Sequence, residues 1–241
     1  MKLQPVIFAA EGYDLAGLRY IPTVARSSFT LLLVHGYTAG KYSLDSLACY
    51  LAIRGVPCVT IDLAGHKLGA SGGIMHAPQS AVDNVKAAIA QFEGDYALAG
   101  HSLGAAACLA AAADLAAGGH PPRFIVSMAM GEHPARGFQS VVGKKMLEQR
   151  DDYVIGAPAN LFVNMLDELV EGLTAISCPA LFIAARQDVL LPPDRVYALA
   201  DRLSPVCDRL LIESSHMDLP DASRAPIYSW LKESGKYLSA E

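Results

Sequence analysis

Short apolar runs alternate along this chain with stretches in which apolar residues recur every three to four positions, and that alternation restricts the possible folds more than any other feature. Eight runs read as strands: residues 3–9 and 15–21 as an initial pair, then 30–34, 58–61, 96–99, 124–128, 180–184 and 209–212. Between them lie helical spacings such as Leu44, Leu47, Ala48, Leu51 and Ala52, or Ala81, Val82, Val85, Ala88 and Ile89. Strands separated by helices return to one sheet through crossovers, so the expected class is α/β: an eight-stranded, mostly parallel sheet with helices on both faces. The 241 residues are 52% hydrophobic and 18% charged, enough for a large core, and nothing in them reads as a linker. One domain spanning 1–241 is expected.

The rhythm breaks once. Residues from 131 to about 177 separate the sixth and seventh strands, far more than an ordinary connection needs. Two apolar groups occur there, one around Phe138, Val141, Val142, Met146 and Leu147, the other at Leu161, Met165, Leu166 and Leu169. A short helical cap inserted after the sixth strand is expected, with Phe138, Leu147, Phe162 and Met165 as its candidate substrate-lining residues.

Composition excludes several classes. A net charge of −5 with scattered Lys and Arg offers no basic stripe for nucleic acid, and no apolar run reaches the length of a membrane span. Cys49, Cys58, Cys108, Cys178 and Cys207 are odd in number, widely spaced and mostly set in apolar patterns, which suits reduced thiols and a cytoplasmic location. No CxxC and no helical His pair suggests a metal. Gly36-Tyr37-Thr38-Ala39-Gly40-Lys41 approaches a phosphate-binding loop but has one residue too few between its glycines, and Tyr42 follows the lysine. No Gly-x-Gly-x-x-Gly follows a strand, so no nucleotide cofactor is expected. The expected partner is a small molecule; the sequence says nothing of oligomeric state.

The chemistry concentrates around Gly100-His101-Ser102-Leu103-Gly104, which lies between the strand run 96–99 and an alanine-rich helical stretch, 103–117. A serine on such a sharp strand-to-helix turn has its hydroxyl thrust clear of the sheet, while flanking glycines let neighbouring backbone pass. Ser102 is the candidate nucleophile. A serine hydroxyl needs a base, and the base needs an acid to orient it. His216, just past the last strand, and Asp188, just past the seventh, would emerge at the same sheet edge as Ser102. Asp194, Asp201, Asp208 and Asp218 compete with Asp188 and read as solvated charges; Asp62 reads as a loop-organising carboxylate. His35 and His101 read as packing or turn-shaping residues, and His66, His76, His120 and His133 as surface or loop residues. Cys108, inside the alanine helix, reads as core.

The order Ser, acid, His, with an insertion before the acid, resembles the α/β-hydrolase superfamily over nearly the whole chain. Val34-His35-Gly36-Tyr37 resembles that family's His-Gly oxyanion turn, which implies that the backbone N–H groups of Tyr37 and Leu103 hold the oxyanion. Asp62-Leu63-Ala64-Gly65-His66 resembles its Asp-x-x-Gly-His segment, but the family often continues Gly-x-Ser where this chain has Lys67-Leu68-Gly69-Ala70-Ser71. A longer, differently shaped loop is expected there. Gly-His-Ser-x-Gly with a short cap is most similar to the carboxylesterase and monoacylglycerol-lipase group. The resemblance implies a cofactor-free serine hydrolase acting on a small or medium acyl ester through an acyl-enzyme. Thioesterase, peptidase and carbon–carbon hydrolase chemistry share the frame, as do non-catalytic binding proteins; epoxide and haloalkane hydrolysis use an aspartate nucleophile and are disfavoured.

Overall fold

The computed structural model of the chain describes residues 1–204, 207–233, 237 and 238. Strands β1 (Lys2–Ala10), β2 (Tyr13–Ile21), β3 (Phe29–Val34), β4 (Cys58–Ile61), β5 (Asp95–His101), β6 (Ile125–Met128), β7 (Ala180–Ala185) and β8 (Asp208–Ile212) form one sheet. Their order is β1-β2-β4-β3-β5-β6-β7-β8. The β1–β2 hairpin and the β2–β4 pairing are antiparallel, and every later pairing is parallel. The fold is the α/β-hydrolase fold, with all eight strands where the apolar runs put them.

The central strands β3, β4, β6 and β7 read as apolar runs because both of their faces are covered, whereas the edge strand β8 is largely exposed. Successive residues point to opposite sides: Leu32 and Val34 enter one core, Leu31 and Leu33 the other. On the first side pack α2 (Pro78–Ile89), α3 (Leu103–Ala117) and α7 (Pro193–Leu203); on the second, α1 (Asp45–Ile53) and, near the end, α9 (Arg224–Glu233). Helix α3 is buried on nearly every side, as its alanine and leucine content requires, and it stops at Gly118-Gly119.

Between β6 and β7 the chain forms α4 (Pro134–Phe138), α5 (Val141–Arg150) and α6 (Ala159–Glu171). The segment divides in two. Helix α6 sends Phe162, Leu166 and Val170 into the main core against α2 and α3, so it belongs to the layer covering the sheet. Helices α4 and α5 form the cap, with Phe138 clustered on Ala135, Val163 and Leu190, and Met146 and Leu147 packed alongside. Val141 is 86% exposed and Val142 is exposed too, so the first apolar group is not one buried face.

Residues between the cap and α6 are stitched to the loop after β4. Lys67 N–H donates to Tyr153 O, Ile155 N–H to Gly65 O, Met75 N–H to Ile155 O and Ala157 N–H to Met75 O. A Cβ on Gly156 would lie 2.0 Å from Met75 O, so this seam needs glycine there.

Candidate active site

Ser102 directly follows β5 and caps α3 at φ 52° and ψ −119°, a backbone conformation that non-glycine residues avoid. Packing enforces it. A Cβ at Gly100 would lie 2.2 Å from Gly104 O, and one at Gly104 would lie 2.2 Å from Val34 O, so β3, the turn and α3 fit together only with bare backbone at both glycines. Ser102 N–H is tied to Met128 O on β6 at 2.9 Å. The helix that follows turns its free N–H groups and positive dipole end toward the same spot.

Asp188 lies just beyond β7 and is buried. Its Oδ1 accepts the backbone N–H groups of Leu190 and Leu191, each at 2.9 Å, and its Oδ2 accepts His216 Nδ1–H at 2.6 Å. His216, beyond β8, is 7% exposed. The two meet across 28 positions because β7 and β8 are parallel neighbours. Asp218, the nearest rival in sequence, is occupied instead with Ser215 Oγ at 2.6 Å.

A cleft beneath the cap holds Ser102 and His216 together with Tyr37, Phe138, Leu147 and Arg150. It has about 40 Å³ of room, enough for a very small group. Tyr37 is reached through Gly36, where a Cβ would come within 3.1 Å of His101 Nδ1 and 3.3 Å of Ser102 Cβ; Thr38 beyond it has φ 62°. Leu103, the first residue of α3, has an N–H with no acceptor in its own helix.

Of the four expected cap residues, Phe138 and Leu147 line this cleft. Phe162 and Met165 do not. Phe162 is 1% exposed in the main core, its ring stacked on Tyr37 at 4.5 Å, and Met165 lies half-buried on α6. Because α6 faces α2 and α3, its apolar side is spent on the core. Met146, read from the sequence only as a member of the first apolar group, also lines the cleft, as do Met217 and Arg150, which the sequence did not single out; Arg150 carried no signal, since it stands among charged residues at the end of α5.

Three buried histidines shape the surroundings. His101 Nε2–H donates to His216 O at 2.8 Å, fixing the loop that carries His216. His35 accepts Leu63 N–H at Nε2, 3.0 Å, which leaves Nδ1–H to donate to Gly36 O at 2.8 Å. His66, read as a surface or loop residue, does lie in the loop after β4 but is not on the surface: it is 2% exposed, Nδ1–H donating to Ala64 O and the ring edge-on to His35 and Tyr37. Burial lowers all three, His66 to about 4, His101 to about 3 and His35 well below the ordinary imidazole range. They are neutral at physiological pH.

Asp62 is fully buried and accepts Lys41 N–H at 2.7 Å, Ala70 N–H at 2.8 Å and Lys41 Nζ at 2.5 Å. The lysine of the near-miss phosphate loop is thus an internal partner. In the divergent loop, Ser71 Oγ donates to Asp62 O at 2.7 Å and accepts Ala16 N–H at 2.8 Å. Burial pushes the Cys108 thiol up, which leaves it inert. Away from the cleft, one ligand atom each from His133, Asp167 and Glu171 lie within 4.8 Å of one another. Asp167 and Glu171 stand one turn apart on α6 while His133 comes from the start of the cap, and Asp167 Oδ1 already accepts Ala135 N–H at 2.8 Å.

The chain as a whole, though not this set of side chains, can be compared with known proteins. A model of the alpha/beta hydrolase family matches residues 31–234. The chain belongs to the alpha/beta hydrolase family. Among solved structures it is similar to Est1E from Butyrivibrio proteoclasticus with ferulic acid bound, at 18% identity and a TM-score of 0.73, over 95% of this chain and 98% of that one. Alpha/beta hydrolase domain-containing protein 10 from mouse matches at 17% and 0.72, over 97% and 98%. The thioesterase domain from the curacin biosynthetic pathway matches at 14% and 0.68, over 95% and 99%. No curated protein sequence matched. As a member of this family the protein is a hydrolase, and no helix among the described residues is long and apolar enough to cross a membrane.

Proposed function

We propose that the protein is a serine hydrolase that cleaves a carboxylic ester of a small or medium acyl group through an acyl-enzyme. Ser102 Oγ attacks the carbonyl while His216 Nε2 takes its proton, and the protonated imidazole, held by Asp188, then gives that proton to the departing alkoxide. Water repeats the sequence and releases the acid. The backbone N–H groups of Tyr37 and Leu103 are assigned to the oxyanion. One observation carries the reading: the strained Ser102 turn shares a cleft with a histidine whose Nδ1 is bonded to a buried carboxylate.

No metal or cofactor is required for these steps. The similarity to a thermophilic esterase and to a thioesterase domain supports ester and thioester substrates alike, since both pass through the same intermediate. We read the location as cytoplasmic, because five thiols without a disulfide suit a reducing compartment.

A fluorophosphonate probe tests the assignment. It should label Ser102 alone and abolish hydrolysis of activated esters, and Ser102→Ala should lower kcat by on the order of 10⁶. Labelling at another residue, or turnover that survives in Ser102→Ala, would refute it.

A further inference from the structure

Arg150 is the one permanently charged side chain among the residues that line the cleft; its neighbours there include Phe138, Met146, Leu147 and Leu190. It ends α5, in the cap, and is half-buried. A guanidinium has five donors in a rigid fork, and the one hydrogen bond it makes here among the described residues is NH1 to Thr38 Oγ1 at 3.2 Å. No carboxylate of the described residues pairs with it. Asp151 and Asp152, which follow it, are exposed, and Asp152 is paired with Lys67 at 2.5 Å.

Half-buried, the guanidinium keeps part of its hydration and stands 6.0 Å from the centroid of the Tyr153 ring, and its remaining donors meet no anionic group among the described residues. Thr38 and Arg150 line the same cleft as Ser102, so a group bonded to Arg150 would share that cleft with the scissile carbonyl. Thr38 O–H accepts from Arg150 and keeps its own proton to donate. Together the fork and the hydroxyl make a receptor for one carboxylate, beside apolar side chains, Phe138, Met146, Leu147 and Leu190, that suit a short carbon body.

Resting on the ester-hydrolase reading above, we propose that Arg150 determines specificity by binding a carboxylate of the substrate, so that the favoured substrates are esters with an apolar body and one anionic end. The negative group can stand on the acyl side or on the leaving group, and the test includes both.

Wild type, Arg150→Gln and Arg150→Lys are compared on two matched pairs. The p-nitrophenyl half-ester of glutaric acid is set against p-nitrophenyl hexanoate, and the butyryl ester of 4-hydroxybenzoate against that of methyl 4-hydroxybenzoate. In one pair at least, wild type should favour the anionic member in kcat/KM by tenfold or more; the ratio should collapse in Arg150→Gln by roughly ten- to hundredfold, survive in part in Arg150→Lys, and fall as salt rises. A preference for the neutral member in both pairs, or a ratio unmoved by Arg150→Gln, would overturn the proposal and leave Arg150 as a strut between cap and Thr38. If Arg150→Gln does not fold, Arg150→Lys and the salt series on wild type decide. If no ester is turned over at all, the hydrolase reading fails while the carboxylate site is still decided by calorimetry: glutarate should bind Ser102→Ala and not Ser102→Ala/Arg150→Gln, and equal or absent binding in both would overturn it.

Discussion

Asp188→Asn separates orientation from folding more cleanly than any other change at this site. Asp188 Oδ1 accepts two buried backbone N–H groups, from Leu190 and Leu191, and Oδ2 accepts His216 Nδ1–H. An asparagine has one oxygen to offer. Two fixed donors claim it, since turning the amide around would set its NH₂ against both and strand two buried N–H groups at about 1–3 kcal/mol each. The NH₂ therefore faces His216, whose Nδ1 must become an acceptor, and the ring proton moves to Nε2. A base with a proton already on Nε2 cannot take one from Ser102, so kcat should fall by roughly 10⁴, about 5 kcal/mol of barrier, with the thermal midpoint near wild type. Asp188→Ala should behave differently. It strands the Leu190 and Leu191 N–H groups, so it should lower the midpoint, yet it leaves His216 free to choose its tautomer and should keep more activity than Asp188→Asn. Hydrolysis of an activated acetyl ester, measured beside scanning calorimetry for both variants, checks this. Activity within tenfold of wild type in Asp188→Asn would sink the tautomer argument and the place of Asp188 in it.

The buried histidines predict acid sensitivity: with His66 at about 4 against 6.5 unfolded, the unfolded chain binds more protons between those values, so stability is retained above pH 6.5 and falls as pH drops toward 4. His66 alone accounts for about 3 kcal/mol across that range, and His35 and His101 act in the same direction. Urea unfolding at pH 7 and pH 5 should show the loss, and equal midpoints would count against it. Lys41→Met should cost about 3–5 kcal/mol by leaving Asp62 buried without its cation, whereas exposed Lys86→Met, which breaks a pair with Asp114, should cost under about 1 kcal/mol. Phe138→Ala and Leu147→Ala should enlarge the cleft and shift preference to longer acyl chains, each added methylene being worth about 0.8 kcal/mol. Phe162→Ala should instead lower stability by about 3–5 kcal/mol, because that ring is core. An unchanged chain-length profile in the first two would refute their role.

The sequence by itself determined the layers and the sharp turn that carries Ser102. Strand runs and helical spacings are local patterns, and the central parallel strands β3, β4, β6 and β7 are covered on both faces, so they had to be apolar and were easily read. The Ser102 turn was equally legible: the glycines at 100 and 104 are demanded by backbone a few residues away or on the adjoining strand. His216 and Asp188 could be picked as strand-end residues, but their pairing depends on β7 and β8 lying side by side, a fact of sheet order. Other features existed only in the tertiary structure. Nothing local distinguishes the apolar face of α6 from that of a cap helix, and only its packing on α2 and α3 removed Phe162 and Met165 from the cleft. His66 looked like a loop residue because burial of a loop depends on what covers it, here the seam with residues 153–157. Lys41 and Arg150 carry the same kind of charge in the sequence; one found Asp62 inside the protein, the other was left facing the cleft, because charge pairing is decided by which elements meet and not by what stands next to a residue in the chain.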